Sequence, residues 1–229
     1  MTYRVAVLFR RRDPRQARYL TPSSLRWVVR HRAWTWWYLV RYLRLARLRL
    51  LHPEVVTEGM VFLGRRVRVS GRRGYGRVVL GRWVHLGDGT RLMAHEGTLR
   101  VGDKAVFGSD NTVTCYLDVE IGARTLVADW VYVTDFDHRT DDLALPIKDQ
   151  GIIKSPVRIG PDCWLGVKVT VLRGAVVGRG CVLAAHAVVR GTVPDLAVAG
   201  GVPARILKHR GNPAVSMESD QDDCPDRRN

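Results

Sequence analysis

A hydroxyl is a poor nucleophile near neutral pH, and the side chain matched to take its proton there is histidine. The chain carries seven, His31, His52, His85, His95, His138, His186 and His209. His138 closes the segment VTDFDH, with Asp135 and Asp137 beside it, at the lip of a stretch of different character. A neighbouring carboxylate can hold an imidazole and stabilise the imidazolium that forms. Alternation along an extended chain puts residues 135 and 137 on one face, which leaves open which of them, if either, reaches the ring. His95 is the second candidate, and a lone histidine elsewhere reads as exposed or locally hydrogen-bonded.

The framework for these residues is written in residues 159–194. In blocks of six they read IGPDCW, LGVKVT, VLRGAV, VGRGCV, LAAHAV and VRGTVP, so that Ile159, Leu165, Val171, Val177, Leu183 and Val189 each open a block. The second and fifth positions are mostly small, with Cys163 and Cys181 among them. A helix cannot use this period, which places successive apolar residues about 240° apart around its axis. A left-handed parallel β-helix can: each block is one flat side of a triangular prism, the aliphatic residue points inward, and small residues fit the corners.

Traced backward, Leu80, Leu86 and Leu92 form one coil, Val101, Phe107 and Val113 another, and Ile121, Val127 and Val133 a third. An earlier, rougher coil runs from Leu63, with GRRGYGR at 71–77 read as a loop. Residues 139–158 do not fit the repeat and are expected to form an excursion loop; such a departure from a regular core usually has a job. The expected organisation is a basic, Trp-rich helical arm over 1–58, an all-β helix over 59–194, a turn and short helix over 195–210, and a disordered tail over 211–229.

The 229 residues carry a net charge of +15, concentrated at the N-terminus. Thr21-Pro22-Ser23-Ser24 suits a helix start, and no acid follows until after Pro53. As one helix, this segment sets Arg26, Arg30, Arg41, Arg44 and Arg47 within about 120° of each other, with Trp27, Trp34, Tyr38, Leu45 and Leu48 away from their centre. Charges interrupt it too often for a membrane span, whereas an anionic membrane interface suits residues 22–52. Packing on the β-helix is the other reading, and the two are compatible. No nucleic-acid motif accompanies the basic patch. Cys115, Cys163, Cys181 and Cys224 form no CxxC pair, which suggests neither a zinc cage nor a disulfide framework. The first residues lack the pattern of a secretory signal, and the expected location is cytoplasmic, at the inner face of the membrane where the arm docks there.

The repeats, the VTDFDH segment, and VRIGPDCWLGVKVTVLRGAVVGRG followed by AGGVPARIL together make residues 80–210 resemble the hexapeptide-repeat acyltransferases, in the branch of galactoside, maltose and other sugar O-acetyltransferases. That resemblance implies direct transfer of an acyl group from coenzyme A. His138 matches the catalytic histidine. A backbone N–H of Gly166 or Val167 would face the oxyanion, Trp164 the pantetheine and thioester, the backbone at Ala185 the pantetheine arm, and Arg205 and Lys208 the nucleotide phosphates. Asp110 and Asn111 fall near an acceptor-binding position, although the intervening segment is two residues shorter here, and Asp141, Asp142 and Gln150 would wall the site. The resemblance further implies a homotrimer, with His138 of one subunit facing Trp164 or Gly166 of the next.

The expected function is therefore an O-acyltransferase using acetyl-CoA or another short acyl-CoA, without metal, on a carbohydrate or glycolipid hydroxyl. Two alternatives stand beside it. One is a non-catalytic scaffold that recruits partners through its basic arm. The other is a zinc enzyme of the carbonic anhydrase kind, which shares this β-helix and would need three histidines to converge, such as His85, His95 and His138.

Overall fold

The computed structural model describes residues 13–19 and 21–211. About six turns of chain stack into a left-handed parallel β-helix. The first face has seven strands, from Val55–Thr57 to Thr192–Val193; the second has eight, from Val61–Leu63 to Arg205–His209; the third has six, from Arg68–Gly71 to Val188–Val189. The aliphatic period is the reason. On the second face Leu63, Leu86, Phe107, Val127, Leu165, Leu183 and Ala199 stack in register. Ile121, Ile159 and Val177 do so on the first, and Val113, Val133, Val171 and Val189 on the third. All of these side chains are buried in one continuous core.

Stacking at one strand spacing, about 4.8 Å, also explains the small second position of each block. A Cβ on Gly166 would lie 2.7 Å from the Ala185 nitrogen, and one on Gly87 2.2 Å from the Gly108 oxygen. The corners turn through left-handed residues such as Asp110, Trp130, Lys168 and His186, with φ of 56°, 62°, 57° and 61°. That conformation costs roughly 1–2 kcal/mol per residue. Each of these residues donates its N–H to a carbonyl of the coil beneath, as in Lys168 to Asp129 at 3.0 Å, which offsets the strain.

Several boundaries differ from the sequence reading. The β-helix begins at Val55 rather than 59, and the loop at 71–77 shrinks to 72–75 because Gly71 and Gly76 end and open strands. The expected C-terminal helix is instead the strand Arg205–His209, antiparallel to Ala197–Gly200: the open edge of the last coil supplies backbone partners that a helix would leave unmet. Residues 212–229, with the expected tail and Cys224, lie outside the described residues, as do 1–12 of the arm.

The arm is two helices, not one. Helix α1 spans Pro22–Arg30, with Thr21 accepting the Ser24 N–H at 3.2 Å and Pro22 in its first turn. Residues 31–35 break the chain direction, with Arg32 at φ 48°, and α2 spans Trp36–Leu51. Leu45 and Leu48 are buried against the first coil, and Arg44 Nη1 donates to the Leu63 carbonyl at 3.0 Å. Trp27 packs on Trp83 with ring centroids 4.9 Å apart, and Tyr38 lies 6.2 Å from Phe62. The aromatic and leucine face that the single wheel set apart is thus turned largely inward.

Candidate active site

The excursion leaves the third face after Thr134 and rejoins the first at Val157, so its span is 135–156 rather than 139–158. Its root is a hairpin: Phe136–His138 pairs antiparallel with Ile152–Lys154, setting His138 opposite Ile152. Gln150 stitches the tip, its Oε1 accepting the Asp142 N–H at 3.0 Å and its Nε2 donating to the Asp142 and Leu145 carbonyls at 2.7 and 2.9 Å. Asp142 is further occupied by the Ala144 N–H at 2.8 Å, and Asp141 is an exposed carboxylate 3.8 Å from Arg139. Asp142 and Gln150 therefore shape the loop from within.

His138 projects exposed from this hairpin; its recorded ring neighbour is Phe136, edge-on at 6.0 Å. Neither aspartate expected beside it touches the ring. Asp135 is fully buried, and its carboxylate accepts the N–H groups of Tyr116, Leu117 and Asp118 at 2.7, 2.7 and 2.8 Å. Asp137 takes the Arg173 Nε at 2.7 Å. The first ties down the turn beneath the hairpin and the second ties the hairpin to the next coil. Arg173 is a residue the sequence did not single out.

Trp164 points outward on the second face, 51% exposed. Register carries its row onward through Val182 and Val198 to Lys208. Three strand spacings of about 4.8 Å make this row on the order of 14 Å long. Arg205 and Lys208 are exposed on the last strand with no acidic partner among the described residues.

Gly166 cannot offer its N–H to a ligand, because it donates to the Leu183 carbonyl at 2.8 Å within the prism. Val167 can. Along its corner, the equivalent N–H of Arg65 is capped by Asp88 Oδ1 at 2.7 Å, and that of Ser109 by Asp129 Oδ1 at 2.6 Å, in each case from the next coil. After Val167 the next coil supplies Ala185, which has no carboxylate, and after Ala185 it supplies Gly201. The Val167 and Ala185 N–H groups consequently have no acceptor among the described residues.

Asn111, expected near the acceptor, turns its side chain into the prism. It is fully buried, its Oδ1 accepting the Val131 N–H at 2.8 Å and its Nδ2 donating to the Gly108 carbonyl at 3.0 Å. Its neighbour Asp110 instead lines a pocket of about 250 Å³ with Gly89, Arg91, Thr112, Trp130, Val131 and Tyr132. This pocket lies on the same edge as Val167, one coil below it. Trp130, 58% exposed, and Tyr132 were missed; the available signal was an aromatic at a corner position, where solvent rather than core is the neighbour.

His85 stacks on Phe62 with centroids 4.3 Å apart, and burial followed by the charge of Arg41 lowers its pKa. His95 stacks on Tyr116 at 4.7 Å. The two lie on different faces, and no group of three His, Cys, Asp or Glu comes together among the described residues. Cys115, Cys163 and Cys181 are buried free thiols, with burial pushing Cys115 up to about 12 and Cys163 up to about 11.

A family model described as bacterial transferase hexapeptide (six repeats) matches residues 156–191. A probable acetyltransferase of Mycobacterium tuberculosis is 60% identical over 201 residues, which are 88% of this chain and 67% of that protein. A protein assigned to lipopolysaccharide biosynthesis as an O-acetyl transferase in Escherichia coli is 39% identical over 121 residues, 47% of this chain and 62% of its own length. Among solved structures, AntD, an N-acyltransferase from Bacillus cereus in complex with dTDP and 3-hydroxybutyryl-CoA, superposes with a TM-score of 0.55 at 14% identity, covering 72% of this chain and 87% of that one. At that identity the likeness concerns the fold.

Proposed function

The chain belongs to the hexapeptide-repeat family of acyl-CoA-dependent acyltransferases, and from that premise we propose that it transfers an acetyl or other short acyl group from coenzyme A directly to a carbohydrate hydroxyl, with His138 as general base. The observation that carries this reading is the outward row from Trp164 to Lys208 beside the two uncapped amides of Val167 and Ala185. It fits an elongated, amide-bearing thioester with phosphates at one end: indole and valine line the arm, free N–H groups meet its carbonyls, and Arg205 and Lys208 meet the anionic end. When bound, coenzyme A supplies the activated acyl group.

The Val167 N–H is then the donor for the charge that develops on the acyl oxygen, a role that needs an amide already aimed outward and not consumed by the fold. His138 takes the proton of the attacking hydroxyl as its oxygen bonds to the acyl carbon, and gives that proton to the sulfur as the thioester C–S bond breaks, so that coenzyme A leaves as the free thiol. The pocket under Val167 offers the acceptor two aromatic surfaces, Trp130 and Tyr132, and two charged groups, Asp110 and Arg91. Aromatic faces with a few polar groups suit a sugar ring. The Escherichia coli relative's O-acetyl transferase role in lipopolysaccharide biosynthesis supports a carbohydrate acceptor.

Within one chain, His138 stands where the third face passes to the first, and Val167 where the second passes to the third. One subunit therefore holds the base and the oxyanion donor on different edges. The reading completes the site between subunits of a homotrimer, with His138 of one copy approaching Trp164 and Val167 of the next.

The test is acyl transfer from acetyl-CoA to a panel of mono- and oligosaccharides, with acetyl-CoA affinity measured by calorimetry. Turnover on a sugar hydroxyl, lost in His138→Ala while acetyl-CoA still binds, is the expected result. Absence of any coenzyme A binding would favour the scaffold reading instead.

A further inference from the structure

The arm was expected to present basic residues on one side and aromatic and leucine residues on the other. The structure spends much of that apolar face on the first coil, yet α2 is apolar on a second side as well. Trp36, Leu39, Leu43 and Leu50 recur at spacings of three, four and seven. At 100° per residue they fall within about 60° of one another, and Leu45 and Leu48 point the opposite way. Trp36 is 75% exposed, Leu43 62% and Leu50 79%. A helix with both sides apolar has a second neighbour to meet.

Beside this stripe, between α2 and the first coil, opens a cavity of about 540 Å³. Its lining holds Arg44, Arg47, Arg66, Arg68 and His52 but no acidic side chain, and its apolar part comes from leucines and valines such as Leu48, Leu63 and Val69. His52 is taken by Glu54 at 2.9 Å, and Arg44 by the Leu63 carbonyl. Arg47, Arg66 and Arg68 make no side-chain hydrogen bond or ion pair with any described residue. Three unpartnered guanidinium groups round one cavity repel each other, and a phosphate matches their forked donors. Arg47 belongs to both features: on the helix it lies next to the stripe, and in the cavity it is part of the rim.

We propose that α2 and this cavity form a seat for an anionic phospholipid surface, with the stripe of Trp36, Leu39, Leu43 and Leu50 entering the acyl boundary and Arg47, Arg66 and Arg68 holding lipid phosphate. The pairing of an apolar stripe with an adjoining cationic cavity is what a headgroup and its acyl chains require together. Among the described residues no helix is long and apolar enough to cross a membrane, so the contact is one of lying on the surface.

Co-sedimentation of the full chain with vesicles tests this. Two compositions are needed, phosphatidylcholine alone and phosphatidylcholine mixed with phosphatidylglycerol. The unaltered protein is expected to bind the mixed vesicles at least about 10-fold more tightly, by a margin that salt reduces. The triple variant Arg47→Ala, Arg66→Asn, Arg68→Ala is expected to lower that binding on the order of 100-fold, asparagine being chosen because residue 66 sits at φ 56°. Leu39→Glu with Leu43→Glu should remove binding to both compositions. Unchanged acetyl-CoA affinity and melting temperature certify each variant as folded, and single substitutions at Arg47 and Arg68 replace the triple if it is not. The proposal is overturned if the two vesicle types bind alike, or if either variant binds as the unaltered protein does. It is equally overturned if inorganic phosphate binds and vesicles do not, or if the leucine variant changes only the mass of the assembly in light scattering.

Discussion

His138→Ala should lower turnover by about 10²–10⁴-fold, the usual worth of a positioned base, and leave the KM for acetyl-CoA near its original value. The amide of Val167 permits a sharper experiment. Pro161 already occupies the same third position in the preceding block, and the residues after them, Asp162 and Lys168, share φ of 60° and 57°. Val167→Pro should therefore fold normally and delete only an N–H that the fold does not use. Steady-state kinetics should show kcat reduced by about 10²–10³-fold, as for loss of one oxyanion donor; unchanged kcat would remove Val167 from that role. Ala185→Pro should instead raise the KM for acetyl-CoA. These distinctions were beyond the sequence. Gly166 and Val167 look equivalent as letters, and only the pairing with a coil eighteen residues later decides which N–H is consumed. Asp135 likewise reads as a partner for His138 until the chain brings three backbone N–H groups of 116–118 against it.

At the scale of elements, the aliphatic period was sufficient to place Leu80 through Val189 on the inner faces, because a six-residue repeat has one way to bury its first position. Where the repeat stops, so did legibility. The arm read as one helix because arginine, leucine and tryptophan are all tolerated in helices; the break at 31–35 stands between the Trp27 contact with Trp83 and the Tyr38 contact with Phe62, tertiary contacts that propensity does not encode. The excursion hairpin depends on two ties, Asp135 to the 116–118 turn and Asp137 to Arg173. Asp135→Asn leaves an amide facing three N–H donors and should cost about 3 kcal/mol in chemical unfolding. Arg173→Ala, on a half-exposed pair, should change the melting temperature little but lower kcat by loosening the strand that carries His138. A loss of stability in place of a loss of turnover would make Arg173 merely structural. The buried thiols belong to the same scale: with Cys115 near 12 and Cys163 near 11, neither should react with iodoacetamide at pH 8 until the prism unfolds, as mass spectrometry can check.

For the whole molecule, His138 and Val167 stand on different edges of one prism, so the proposed roles of the two residues require catalysis to be a property of the assembly. A cyclic arrangement joins one edge of each copy to a different edge of its neighbour, which is the heterologous contact such a divided site needs. Mixed assemblies decide the matter. His138→Ala subunits keep the Val167 amide, Val167→Pro subunits keep the imidazole, and each is expected to be nearly inactive as a pure protein. When the two are co-expressed in equal amounts and assort at random, about one quarter of interfaces should pair an intact His138 with an intact Val167, and activity should return to about that fraction. If each site lay within a single chain, no mixture would contain an intact one. Recovered turnover thus locates the active site between subunits, and an inactive mixture of properly assembled protein would place it on one.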